Sequence, residues 1–230
     1  MYKVIQSSIV VASPQNNPSI MTQQFLREYE IAPADWKAGL GLESPAVSQA
    51  TWENGLSIKS EAGRIIFQYD LNEEHPQPYE KECLLGDVAE RYISQLSKVK
   101  YTAVGINFSS ICDDIENVQN EFPKLFLSSD LNQIPNISQE SFKISMKIDE
   151  FKTQYLTIEL GNFIGPGKYS DIKKNPLCLL LKGNLHCTLT KVKIQESWEE
   201  AMGIIKSWEK FYSHYSSFVN EIANLWEVKK

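Results

Sequence analysis

Cysteine is scarce in this chain. Four residues, at 83, 112, 178 and 187, are spread over 230 positions, and no two form a CxxC pair. That spacing excludes the dense disulfide framework of small secreted domains and the clustered thiolates of a strong zinc motif. It suits reduced thiols, and so a cytoplasmic protein. Histidine is rarer still: three residues, with no i, i+4 pair of the kind that grips zinc on a helix. Basic clusters are also missing. The 23 Lys and Arg residues are outnumbered by 29 acids, the net charge is −6, and the densest groupings are short pairs such as Lys173-Lys174 and Lys229-Lys230. Without a positive stripe no counterion release drives nucleic-acid binding, and an anionic membrane surface repels the chain. No window approaches the ~18 apolar residues of a membrane span, and the N-terminal apolar stretch is broken by Gln6, Ser7 and Ser8, unlike a signal peptide. Neither a nucleic acid nor a membrane is expected as partner, and no cofactor or metal is implied.

What is present is ordinary globular composition, 42% hydrophobic and 23% charged, enough to bury a core without a partner. Residues 3–12 alternate as a strand. Asn17-Pro18 offers an N-cap and a first-turn proline, predicting a helix through about Tyr29, and Pro33, Gly39, Gly41 and Pro45 then read as a loop. Asn54-Gly55 is the type I′ hairpin dipeptide and Glu61-Ala62-Gly63 a second turn, which predicts three antiparallel strands at about 47–53, 56–60 and 64–69. Leu85, Val88, Ala89, Tyr92, Ile93 and Leu96 trace the stripe of an amphipathic helix lying on a sheet. Further strands are expected at 100–109, 141–149 and 154–160, a capped helix from Asp113 or Asp114 to about Asn120, and a β region at 177–194 that turns at Gly183-Asn184.

The C-terminal segment carries most information. Ser197 and Glu200 have capping-box spacing, and Trp198, Ala201, Ile205, Trp208, Tyr212, Tyr215, Val219, Ile222 and Trp226 follow in steps of three and four. Ile204, Phe211, Phe218 and Leu225 add a second row. One continuous helix of roughly 45 Å results, at about 1.5 Å per residue. The fold class is therefore α+β: a twisted, mainly antiparallel sheet with helices on one face and a long aromatic-rich C-terminal helix. Residues 1–230 read as one domain. Both halves run strands then helix and meet near 128–140, which hints at pseudo-duplication.

The segments Tyr101-Thr-Ala-Val-Gly105-Ile-Asn107-Phe108 and Leu179-Leu-Leu-Lys-Gly-Asn184, set before an aromatic C-terminal helix, resemble a sporadically distributed, uncharacterised bacterial protein family of similar size. The resemblance implies no catalytic residue. The patchy distribution of that family implies mobile or defence-associated genes.

No motif selects a chemistry. Gly161 to Lys168 follows a strand, but five residues separate Gly161 from Gly167-Lys168, and Tyr169 stands where a P-loop needs Ser or Thr. His186 and Cys187 are strand neighbours and point to opposite faces, so they cannot act as a base and nucleophile pair. Cys112, Asp113, Asp114 and Glu116, or Asp70, Glu73, Glu74 and His75, lack metal-ligand spacing, and are plainer as capping acids and a solvated loop. Two functions stay open. The first, preferred, is a non-enzymatic protein-interaction or regulatory component of a bacterial multi-gene system. It binds a protein, or a second copy as a homodimer, through Trp208, Tyr212, Tyr215, Phe218, Ile222 and Trp226. The second is a binder or enzyme that holds a small apolar ligand in a cup between sheet and C-terminal helix.

Overall fold

The computed structural model describes residues 2–70, 85–112, 141–148, 151–161 and 178–227. Eight described strands form one sheet: β1 (Tyr2–Ala12), β2 (Val47–Thr51), β3 (Leu56–Glu61), β4 (Arg64–Asp70), β5 (Ala103–Cys112), β6 (Ser141–Ile148), β7 (Phe151–Gly161) and β8 (Cys178–Thr188). A 3-10 turn at Pro18–Ile20 precedes α1 (Gln23–Glu28), and α2 (Leu85–Ser94), α3 (Ile194–Lys206) and α4 (Trp208–Glu227) complete the described helices. The fold is α+β, as the patterning required. Asn54-Gly55 turns β2 into β3 with Gly55 at φ 92, and Gly63, at φ 83, turns β3 into β4. Both angles lie in the left-handed region that only glycine enters without strain.

The sheet order is β2-β3-β4-β1-β5-β8-β7-β6, and every described ladder is antiparallel. This order is a palindrome. β1 and β5 lie side by side at the centre, and each is followed in the chain by three meandering strands, the last of which pairs back against it. Divided by strand order, the chain changes over between Ser94 and Ala103. The segment 128–140 lies outside the described residues, as do the expected helix at 113–120 and the glycine loop from 162 on.

One face of the sheet is apolar, because alternate residues of each strand share a face. Ile9, Phe67, Ile106, Phe108, Leu181 and Leu185 are each at most 1% exposed beneath the helices. The α2 stripe is buried as expected, Leu85 through Ile93. The opposite face is polar and carries amide ladders: Asn184 donates to Asn107 at 2.6 Å and Asn107 to Ser8 at 3.1 Å, while Gln6 and Gln68 both donate to the Asp70 carboxylate.

Four expectations change. The turn at 17–20 is 3-10, and the α-helix proper starts only after Thr22, whose Oγ1 accepts from Phe25 N–H. Ser197 and Glu200 form no capping box. The helix starts at Ile194, Ser197 lies buried and accepts from the Tyr101 N–H, and Glu200 binds the Thr190 and Lys191 N–H groups of the incoming chain. The long helix is interrupted at Ser207, whose hydroxyl donates to the Gly203 carbonyl one turn back, a bond that bends helices, here beside a glycine. Finally, Gly183-Asn184 is no turn, since β8 runs straight through it. The glycine is there for α4: a Cβ at Gly183 would lie 2.6 Å and 2.8 Å from two ring carbons of Tyr215.

Two measurements check this packing. Gly183→Ala forces a methyl against a rigid ring and should cost about 3 kcal/mol, a fall in Tm of roughly 6–12 °C in a chain this long; an unchanged Tm would contradict the contact. Burial pushes the phenols of Tyr92 and Tyr101 above their usual 10.0, for Tyr101 with the neighbouring Tyr92 adding to the shift. Their folded values are raised, so the stability they contribute is complete below pH 10 and falls as pH rises further. Phenolate absorbance in an alkaline titration should show these two tyrosines ionising only together with unfolding.

Candidate functional site

The aromatic residues of the C-terminal helix go mostly into the core. Trp208 is 4% exposed, against Gly86 of α2 and 4.9 Å from the Phe108 ring. Tyr215 is fully buried, stacked on Phe108 at 4.8 Å, with its hydroxyl 2.8 Å from Ser110 Oγ and 3.0 Å from the Leu181 carbonyl. Ile222 is 7% exposed, Tyr212 and Phe218 are half-buried against the same core, and the side chain of Trp226 lies outside the described residues. A single helix of roughly 45 Å would outrun the sheet and leave apolar length for a second copy, but two features remove that surplus. The helix is broken at Ser207, so α3 packs on α2 while α4 packs on the sheet. The central strands are also 10 or 11 residues long, about 35 Å, which covers the ~30 Å of α4. The interaction surface expected from Trp208 to Trp226 thus loses Trp208, Tyr215 and Ile222, which are buried in this chain's own core.

The remaining candidates divide cleanly. His186 is exposed on the helix-free face, 3.3 Å from Thr188 Oγ1, and Cys187 points the other way, into the core. Asp70 is held by the Gln6 and Gln68 amides. Among the described residues no three His, Cys, Asp or Glu side chains converge to hold a metal.

A surface that sequence reasoning passed over stands at the sheet edge. β2 is the terminal strand, and residues 37–42 are laid along it as an incomplete further strand. Gly39 N–H donates to the Thr51 carbonyl at 2.8 Å, Leu42 and Gln49 exchange both backbone bonds, and Thr51 Oγ1 donates to the Leu40 carbonyl at 2.6 Å. Two glycines allow this close approach. A Cβ at Gly39 would sit 2.6 Å from Thr51 Oγ1, and one at Gly41 3.2 Å from Gln23 Nε2. The leucines that alternate with them are exposed, Leu40 at 89% and Leu42 at 50%. Beside them Trp36 and Trp52 meet edge-on at 6.3 Å, both half-buried, and Lys37 pairs with Glu53 at 2.6 Å, which raises the ammonium pKa. Contiguous exposed apolar side chains are a general feature of interaction surfaces. The alternation Gly39-Leu40-Gly41-Leu42 was the available signal, and its glycines read simply as loop.

No protein-family model matches this chain, and no curated protein sequence matches it. Among solved structures it is similar to the rolling circle replication initiator protein from Geobacillus stearothermophilus, at 8% identity and a TM-score of 0.29 over 88% of this chain and 78% of that one. A likeness at that level carries no argument about function.

The hold of β2 on this segment is testable. Gly39→Ala pushes Thr51 Oγ1 away from the Leu40 carbonyl and should lift residues 38–42, at a cost of about 1 kcal/mol. Amide exchange at Gly39 and Leu42 should quicken and Tm fall by roughly 2–4 °C, whereas wild-type exchange rates would show that the segment does not depend on this contact.

Proposed function

We propose that this protein is a non-enzymatic protein-interaction or regulatory component of a bacterial multi-gene system, working in the cytoplasm through the β2 edge. The observation that carries this reading is the exposed run 37–43, with Leu40 89% accessible at the rim of an otherwise well-packed sheet. Burying one leucine of this kind in a partner contributes about 1.5–3 kcal/mol, so a small apolar cluster can anchor a complex. The bacterial multi-gene setting rests on the family resemblance of segments 101–108 and 179–184.

The second reading, a ligand cup between sheet and C-terminal helix, has one observation in its favour. Ser7 Oγ and Trp208 Nε1 are buried without a hydrogen-bond partner among the described residues, and both residues neighbour Phe108, Ser7 as its cross-strand partner and Trp208 through ring contact. Buried polar atoms of this kind normally bind something, water included. Against the cup stands the filling of that interface by Phe108, Tyr215 and Trp208. Co-expression with the products of adjacent genes, followed by light scattering and native mass spectrometry, separates the two. A stoichiometric protein complex is expected; a monomer that carries a small molecule through purification would replace the interaction reading with the cup.

A further inference from the structure

We infer that Trp36 and Trp52, at the β2 edge, receive a proline-rich segment of a protein partner in the polyproline II conformation; the inference rests on the interaction reading above. Two observations carry it. The first is an aromatic corner. Trp52 directly follows β2 and is bridged to Ala38, and Trp36 lies two residues before that bridge. The ring centroids are 6.3 Å apart and the ring planes meet at 73°; both residues pack against the core yet keep part of their surface in solvent. The second is hydrogen bonding. Neither indole N–H has a partner among the described residues, and neither belongs with the buried unpartnered atoms, which are those of Ser7, Tyr92, Trp208 and Ser216, so both N–H groups reach solvent. The pair thus offers apolar ring surface and two donors, and no acceptor, because an indole carries none.

That chemistry selects the occupant, which must bring apolar bulk together with unbonded carbonyl oxygens. An added strand finds no continuous ladder here. β2 already bonds to this chain's own segment, with Glu53 N–H donating to the Lys37 carbonyl and Gly39 N–H to the Thr51 carbonyl, and that segment is itself bridged only at Ala38 and Leu42. A helix commits its carbonyls to its own backbone. A second copy of this chain, docked through the same corner about a two-fold axis, sets indole donors against indole donors. A polyproline II segment has no internal hydrogen bonds, so its carbonyls stay free to accept, and its proline rings supply apolar surface on a backbone that is already ordered. Aromatic-lined grooves are the general receptors of such segments.

The test uses the full chain and a labelled peptide of about nine residues, proline pairs alternating with leucine, with a counterpart in which alanine replaces each proline. Fluorescence anisotropy should show the proline peptide binding at least about tenfold more tightly, because only it is ordered beforehand. In nitrogen-edited NMR spectra two indole N–H signals should move on binding, those that vanish in Trp36→Phe and Trp52→Phe, while the buried indole of Trp208 stays in place. Each substitution keeps an aromatic ring and deletes the donor, so it should weaken binding about three- to tenfold, the worth of one hydrogen bond, with little change in Tm. If Tm does fall, the two indole signals of the unsubstituted chain decide alone. Equal affinity of the two peptides, indole signals that stay still, or no binding of the proline peptide at about 1 mM would overturn the assignment. So would movement of those signals with protein concentration alone, which would identify a second copy. A complex with an adjacent gene product that leaves both indoles unmoved removes the corner and spares the interaction reading; absence of both peptide and protein complexes removes the two together.

Discussion

The hydroxyl of Tyr215 lies within hydrogen-bond distance of Ser110 on β5 and of the Leu181 carbonyl on β8, and its ring rests on the backbone at Gly183. It can donate to the carbonyl while accepting from the serine, so a phenol fully removed from water keeps both its bonds. These contacts fix α4 against two adjacent strands at once. Phe211, Val219 and Ile222 lie on the same buried side of the helix and are positioned by that registration. Phe108 ties in the rest, touching Tyr215, Tyr212 and Trp208, and Trp208 in turn closes on Gly86 of α2. Two glycines in different elements thus accept two aromatic rings from one helix.

The consequence for function is a division of labour between interior and rim. Trp208 and Tyr215, with the composition of an interface hot spot, face inward, where the sheet is long enough to cover them. The residues left outside are a polar face whose amides bond to one another and an edge that bonds to β2 through Gly39 and Leu42 while leaving the side chains of Leu40 and Leu42 exposed. A surface whose groups are already satisfied has little to gain from a partner, whereas one with free donors and exposed apolar carbon gains on both counts.

Much of the fold was legible from local chemistry. Asn54-Gly55 and Gly63 marked their turns because the required dihedrals are accessible mainly to glycine, and the α2 stripe showed in its spacing. The misreadings share one cause: the deciding contact lies far away in the chain. Gly183 resembled a turn residue because nothing within β8 reveals that a ring 32 positions later needs the space left by its missing side chain. The C-terminal stripe was rightly seen as apolar, but a stripe that packs on its own sheet and one that packs on a partner have the same composition. Residues 37–42 were taken for loop because two glycines weaken any strand signal, although those glycines are what let the segment lie against β2.

The palindromic sheet also bears on how the chain is assembled. β1 pairs with β4 on one side and with β5 on the other, so its register with Gln68 can form once residue 70 has been made, while its register with Asn107 must wait for some forty residues more. At ribosomal rates of ~5–20 residues per second that interval is on the order of seconds, longer than a hairpin needs to close. During it the nascent sheet β2-β3-β4-β1 presents β1 as a raw edge, with Ser8 and Val10 bare on one face and Ile9 and Val11 on the other. A strand at the centre of the finished protein is thus open to mispairing while the protein is being synthesised.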